Sequence, residues 1–408
     1  MAGNGTKQRF VDADGHILEH PTRFYELAPK EFKDRIWHIE TGADGAETLY
    51  FAGKSQPANF MASAGVAGMS AEQREAAFKG QMKYTEVRPA AYNADARLED
   101  MATEGIDQSV LYPTMLLALA SLEDAKFATV QAQVYNDWMA EYCTEDRKRL
   151  FGVAAVPQQS MEAAIKEVYR AKTLGMVGIF LRPNPMVEGQ YFDDPVYDPL
   201  WKACEENDMA VGFHPFLAPD VHGACRALHL DKRQSTRSLQ DGGMGDGASD
   251  GPISLGNIYF TQAIANPFDM MLSITYLLAG GVCEQYPKLK FIFLEANGGW
   301  IVPWLERLDH HAEIFSWDVP QLKMKPSEYF KRQCWISFDT DESTLAFTAN
   351  SSLVGADRII WASDYPHPDA KYPGTVQELI DSTATLTSMQ KDRIYGVNAG
   401  ELYSLPAL

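Results

Sequence analysis

Eight short apolar runs, each the length of a buried strand and separated by segments of helical periodicity, constrain this chain more than any other feature. Several end in residues that ligate metals: Asp14 and His16 lie in VDADGHILE, His214 in AVGFHPF, Glu295 in KFIFLEANGGW and Asp364 in RIIWASDYPHPD. The runs predict strands over residues 9–14, 109–113, 151–157, 177–182, 210–213, 290–294, 334–338 and 358–362. Helices are expected between them, over 96–104, around Phe127–Val130–Val134–Trp138, from Ser160 to Leu174, and over 199–207, 267–286, 301–315 and 342–351. Eight strands alternating with helices fit a closed parallel barrel better than an open sheet. In a (β/α)8 TIM barrel the C-terminal strand ends converge on one point, which would gather the dispersed ligands into one site.

The whole of the 408-residue chain fits one α/β barrel domain if two long insertions are allowed, over about 20–92 after strand one and about 217–257 after strand five. The first reads as irregular, with Ser70 and Gln73 at capping-box spacing before a short helix. The second contains DGGMGDGASDG, which cannot bury enough apolar surface to order itself alone. The net charge of −19, from 36 basic and 55 acidic residues, argues against nucleic acid or an anionic membrane as partner. No apolar run reaches the ~18 residues of a membrane span, and MAGNGTKQRF does not resemble a signal peptide. Five widely spaced cysteines without a CxxC (Cys143, Cys204, Cys225, Cys283 and Cys334) read as reduced structural thiols of a cytoplasmic protein.

Asp14 and His16 stand at i and i+2 on a strand and so share a face. Each ligand candidate has a plain structural alternative: a hydrogen-bonded core histidine for His214, a turn cap for Asp364. Their co-occurrence at strands one, five, six and eight favours one metal site built from Asp14, His16, His214 and Asp364, with Glu295 as a further ligand or a catalytic group. Two imidazoles with two or three carboxylates suit a divalent cation, zinc first and manganese or iron next. Such a cation activates water or polarises a carboxylate. Arg182, just beyond strand four, is a candidate clamp for a substrate carboxylate, against the alternative of a structural ion pair. His367 is a candidate proton shuttle or a support for the strand-eight ligand. Trp300 reads as a packing residue or a pocket wall, His222 lies in the second insertion, and His310 and His311 read as surface groups.

At these residues the sequence resembles the amidohydrolase superfamily, in the branch of aminocarboxymuconate-semialdehyde decarboxylase and the hydroxybenzoate-type decarboxylases. The resemblance rests on VDADGHILE, GIFLRPNP with DDPVYDPLWKACEEN, GFHPF, YPKLKFIFLEANGGWIVPWLERLD, WASDYPHPD and IYGVNAGELYSL. It implies that His16, His214 and Asp364 are ligands, that Asp14 replaces the first histidine of the H-x-H usual on strand one, and that Glu295 replaces a strand-six histidine. These departures make the site carboxylate-rich and a second metal, bound with the help of Glu295, conceivable. The implied activity is decarboxylation or hydrolysis of a small carboxylate. A sub-branch implies an alternative: an iron-containing, O2-activating monooxygenase component or its related partner subunit. A homodimer or a hetero-oligomer with a related chain is expected. A non-catalytic barrel binding such a chain is the third expectation.

Overall fold

The computed structural model describes residues 8–183, 190–216 and 258–408. Eleven strands occur among them: β1 Val11–Ile17, β2 His38–Thr41, β3 Glu47–Phe51, β4 Lys54–Pro57, β5 Gln108–Pro113, β6 Leu150–Ala155, β7 Gly178–Leu181, β8 Ala210–Phe213, β9 Phe291–Phe293, β10 Cys334–Asp339 and β11 Ile359–Ala362. Eight of these form one parallel sheet in the order β1-β5-β6-β7-β8-β9-β10-β11, the nearly closed barrel of a (β/α)8 fold. Strands β5 to β8 are buried at every position. That explains their continuous apolar runs, since helices cover the outside of the sheet while side chains fill its interior.

The order closes at a seam. β1 and β11 meet through two backbone hydrogen bonds, from the His16 amide to the Tyr365 carbonyl (2.8 Å) and from the Asp364 amide to the Asp14 carbonyl (3.3 Å). Side chains complete it. The Asp12 carboxyl accepts from the Ser363 amide and hydroxyl and from the Ser109 hydroxyl. Buried Arg97, from the helix Ala94–Glu104, donates to the carbonyls of His16 and Tyr365. Gly15 is required there, because a Cβ would lie 2.4 Å from the Asp12 carboxylate and 2.9 Å from the Arg97 guanidinium.

The structure departs from the sequence reading in three places. The first insertion, expected to be irregular, contains a second sheet, the antiparallel meander β2-β3-β4. Its strands are short and its turns sit at Asp44–Gly45 and Ala52–Gly53, where Gly45, Ala52 and Gly53 have positive φ. The single helix expected over 267–286 is two, Asn266–Ala279 and Val282–Gln285, because Gly281 adopts φ 92° and breaks the run. The helix expected over 342–351 is confined to Leu345–Ala349. The helix from Ser160 forms as expected: the Ser160 hydroxyl accepts from the Ala163 amide and Gly175 ends it in the left-handed region. The second insertion, with His222 and Cys225, lies outside the described residues. Cys143, Cys204, Cys283 and Cys334 are buried and unbridged. No described helix is long and apolar enough to cross a membrane.

Candidate metal centre

β1 runs on to Ile17, so Asp14 and His16 lie within the strand rather than past its end. His214 directly follows β8, Glu295 stands two residues past β9, and Asp364 two residues past β11. Glu295 and Asp364 both adopt positive φ, 44° and 53°. Non-glycine residues enter this region at a cost of ~1–3 kcal/mol, and such strain gathers at functional sites. At both positions the chain turns sharply as the strand ends, and the carboxylate faces the same point as the imidazoles.

Each imidazole is fixed by a backbone carbonyl. His16 Nδ1 donates to the Pro113 carbonyl and His214 Nδ1 to the Pro215 carbonyl, both at 2.8 Å. A carbonyl only accepts, so in each neutral ring Nε2 carries the lone pair. The rings are neutral: burial lowers the His214 pKa to about 3 and holds His16 well below the usual histidine range, where His367 and His214 add to the effect. The two Nε2 atoms nevertheless face each other at 3.2 Å. Asp14 Oδ1 lies 3.7 Å from both, buried and without a hydrogen-bond partner. Asp364 Oδ1 is 3.6 Å from His16 Nε2, and Glu295 Oε2 is 3.3 Å from His214 Nε2. Burial pushes the Asp14 carboxyl well above the usual carboxylate range, and lone pairs pointed at one another in a dry interior repel unless a proton or a metal cation lies between them. Separations of 3.2–3.7 Å are also the donor–donor edges expected around a cation bound at ~2.1 Å by nitrogen and oxygen. The donor set therefore fits a divalent metal. Asp14, His16 and His214 form one such group, and His16, Asp364 and His367 a second that shares His16.

Burial and mutual repulsion push the surrounding carboxyls toward the protonated form. Desolvation, then the charges of Asp369 and Asp339, raise Glu295 to about 8. Desolvation, then Glu342 and Asp369, raise Asp339 to about 7. Asp364 hydrogen-bonds to Asp369 and is pushed well up, chiefly by burial. His367 bridges two elements, with Nδ1 2.6 Å from Asp364 Oδ1 and Nε2 3.0 Å from the Thr114 hydroxyl, and its ring packs 4.2 Å from that of His16.

A cavity of about 390 Å³ adjoins the cluster. Phe60, Met61 and Phe78 of the first insertion, with Met115, Leu117 and Phe216, form its apolar walls. Glu295, His367, Asp369, Gln262 and Arg74 supply its polar groups. Gln262, on the π-helical turn Thr261–Ala265, donates to Glu295 Oε1 at 3.1 Å. Arg182 is not among the lining residues: its buried guanidinium donates to the Ser121 hydroxyl. Trp300 likewise packs, its indole donating to the Ala296 and Asn297 carbonyls, and His310 and His311 lie on the outer helix Ile301–Ile314. Arg74, Thr114, Asp369 and Asp339 escaped the sequence reading. The one available signal was the capping box at Ser70–Gln73, which forms and fixes the helix carrying Arg74.

A family model described as Amidohydrolase matches residues 11–405. The chain belongs to this amidohydrolase family. A curated relative, the 2-amino-3-carboxymuconate-6-semialdehyde decarboxylase of Dictyostelium discoideum, is 27% identical over 332 residues, covering 79% of each chain. The crystal structure of an amidohydrolase from Mycobacterium avium subsp. paratuberculosis superposes with a TM-score of 0.71 at 20% identity, covering 98% of this chain and all of the other. That of a dihydroxybenzoic acid decarboxylase from Polaromonas, solved with bound manganese and 2-nitroresorcinol, gives 0.62 at 18% identity and 98% coverage of both.

Proposed function

We propose that the chain is a metal-dependent decarboxylase of small aromatic carboxylates, with its metal at the C-terminal mouth of the barrel. The observation that carries this reading is the pair of facing imidazole lone pairs beside the unpartnered Asp14 oxygen, opening onto a mostly apolar cavity. The cavity has the size and lining of a small-ligand site. Asp14, His16, His214 and Asp364 would hold the ion, which, when bound, supplies Lewis acidity toward a substrate carboxylate or a neighbouring hydroxyl.

The remaining steps belong to the chain. Phe60, Phe78 and Phe216 hold the ring and exclude water. Arg74 takes the orienting role that the sequence reading gave to Arg182. Glu295, on the cavity wall, delivers its proton to the ring carbon that loses CO2; the carbon–carbon bond breaks, and the carbon keeps the electron pair that binds the proton. His367 holds Asp364 in place and relays protons to the site. Zinc is the expectation from the ligand types, and the manganese-bound relative supports manganese as its competitor.

The test is element-resolved metal counting on protein purified without chelator, with CO2 release measured from 2,6-dihydroxybenzoate and a panel of other aromatic carboxylates. One zinc or manganese per chain with CO2 release is expected, and both should vanish in the double variant His16→Ala/Asp364→Ala. Two metals including iron, with O2 uptake, would sink the proposal in favour of the oxygenase reading.

A further inference from the structure

Glu19 is a buried carboxyl for which the mechanism above has no use. It lies just beyond β1, fully enclosed, at the start of the first insertion. Its Oε1 accepts two backbone hydrogen bonds at 2.9 Å, from Met115 and Leu116, and its Oε2 has no hydrogen-bond partner. Its own carbonyl accepts from the Tyr84 hydroxyl at 2.7 Å, so the insertion grips the residue from the other side. Met115 and Leu116 open the 3-10 turn that follows β5, and the residue before them is Thr114. The Thr114 hydroxyl reaches His367 Nε2 at 3.0 Å, and His367 Nδ1 reaches Asp364 Oδ1 at 2.6 Å.

The Glu19 carboxyl satisfies two amides that the turn leaves without backbone partners. It sets where the turn begins, and hence where the side chain just ahead of it points. The Thr114 hydroxyl can donate to His367 Nε2 only if that nitrogen is unprotonated. In that arrangement the proton is on Nδ1, facing Asp364, whereas with the proton on Nε2 the hydroxyl would accept instead, so the placement of Thr114 bears on the tautomer. One chain of contacts thus runs from the insertion to the ring that supports a candidate ligand.

We propose that Glu19 is a positioning residue: by fixing the Thr114–Met115–Leu116 turn, it sets the orientation and tautomer of His367. The inference concerns the geometry of His367, and only its catalytic meaning rests on the decarboxylase reading. Nothing in it requires Glu19 to touch substrate.

The experiment is 15N NMR of histidine-labelled full-length protein in the metal-loaded state, with His367 assigned by comparison with His367→Asn. Glu19→Ala and Thr114→Val should each shift the His367 Nε2 resonance away from its hydrogen-bonded position. The double variant should shift it no further than either alone, because the two act in series. Glu19→Gln keeps an acceptor for both amides and should restore the wild-type signal. If the alanine variant does not fold, Glu19→Asp carries the test: it withdraws the same carboxyl by one methylene and should shift the signal in the same direction. An unmoved His367 signal in folded Glu19→Ala or Glu19→Asp protein, or additive shifts in the double variant, overturns the proposal. Undiminished CO2 release by His367→Asn would instead count against His367 in the decarboxylase reading, while leaving the NMR result intact.

Discussion

At the scale of single residues, the centre is a set of groups whose protonation is dictated by burial. Glu295 sits at about 8 folded against 4.5 unfolded. Its folded pKa is raised, so its stabilising contribution is complete below 4.5 and is lost as pH climbs through 8. His214 and His367, lowered to about 3 and about 4, act oppositely: their contribution is complete above 6.5 and is lost as pH falls toward those values. Well above pH 6.5 His214 and His367 are neutral in both states, and the raised carboxyls set the slope. Metal-free protein should therefore lose melting temperature between pH 6.5 and 8.5, and Glu295→Gln should flatten that slope. Added divalent metal should raise the melting temperature by an amount that grows with pH, since it needs the ionised carboxylates. Differential scanning fluorimetry at several pH values checks all three. Asp14, His16, His214, Glu295 and Asp364 were legible in the sequence because each interrupts or ends an apolar run with a group that is costly to bury. Arg74, Thr114 and Asp369 were not. A cation on a short surface-like helix, a threonine after a strand and one aspartate among several carry no local sign of where the chain will take them.

At the scale of elements, strands with continuous apolar runs could be read to within a few residues, whereas the meander β2-β3-β4 could not. Its strands are four or five residues long and half-exposed, so their hydrophobic period is too short to stand out. The break at Gly280–Gly281 was similarly masked by the apolar residues on both sides. The helix Ala94–Glu104 acts as a strap, because Arg97 on it ties the carbonyls of His16 and Tyr365 and lies beside the Asp12 carboxyl, opposing the upward shift that burial imposes on it. Arg97→Met leaves Asp12 and two carbonyls without that cation. Removing one member of a buried charged set costs ~3–5 kcal/mol. Urea unfolding of Arg97→Met should show that loss, whereas substitution of Arg182, which lies off the cavity and donates to the Ser121 hydroxyl, should leave metal content unchanged when the variant is assayed by elemental analysis.

At the scale of the molecule, the alternation of strands and helices pointed to the parallel barrel because closing eight strands on themselves buries both faces of each. What it could not specify was the cavity, whose walls come from the first insertion and from loops whose paths depend on tertiary contacts. The seam joins the two scales. Asp14 and His16 on one side, and Asp364 on the other, offer their backbones to the closing hydrogen bonds and their side chains to the candidate ion. Chelation should accordingly raise hydrogen exchange at the His16 and Asp364 amides, while the interior amides of β6 stay protected. Mass spectrometry of apo and loaded protein measures the difference.

The partners across that seam, such as Asp12 and Ser363, are 351 positions apart in the chain. During synthesis the first strand waits, with its aspartate and histidine already made, until β11 has left the ribosome. A nascent chain that has not yet made β11 lacks Asp364 and the closing contacts. If the site takes its ion as proposed, full loading would wait for β11, and capture of the ion would mark chains in which β1 and β11 have met.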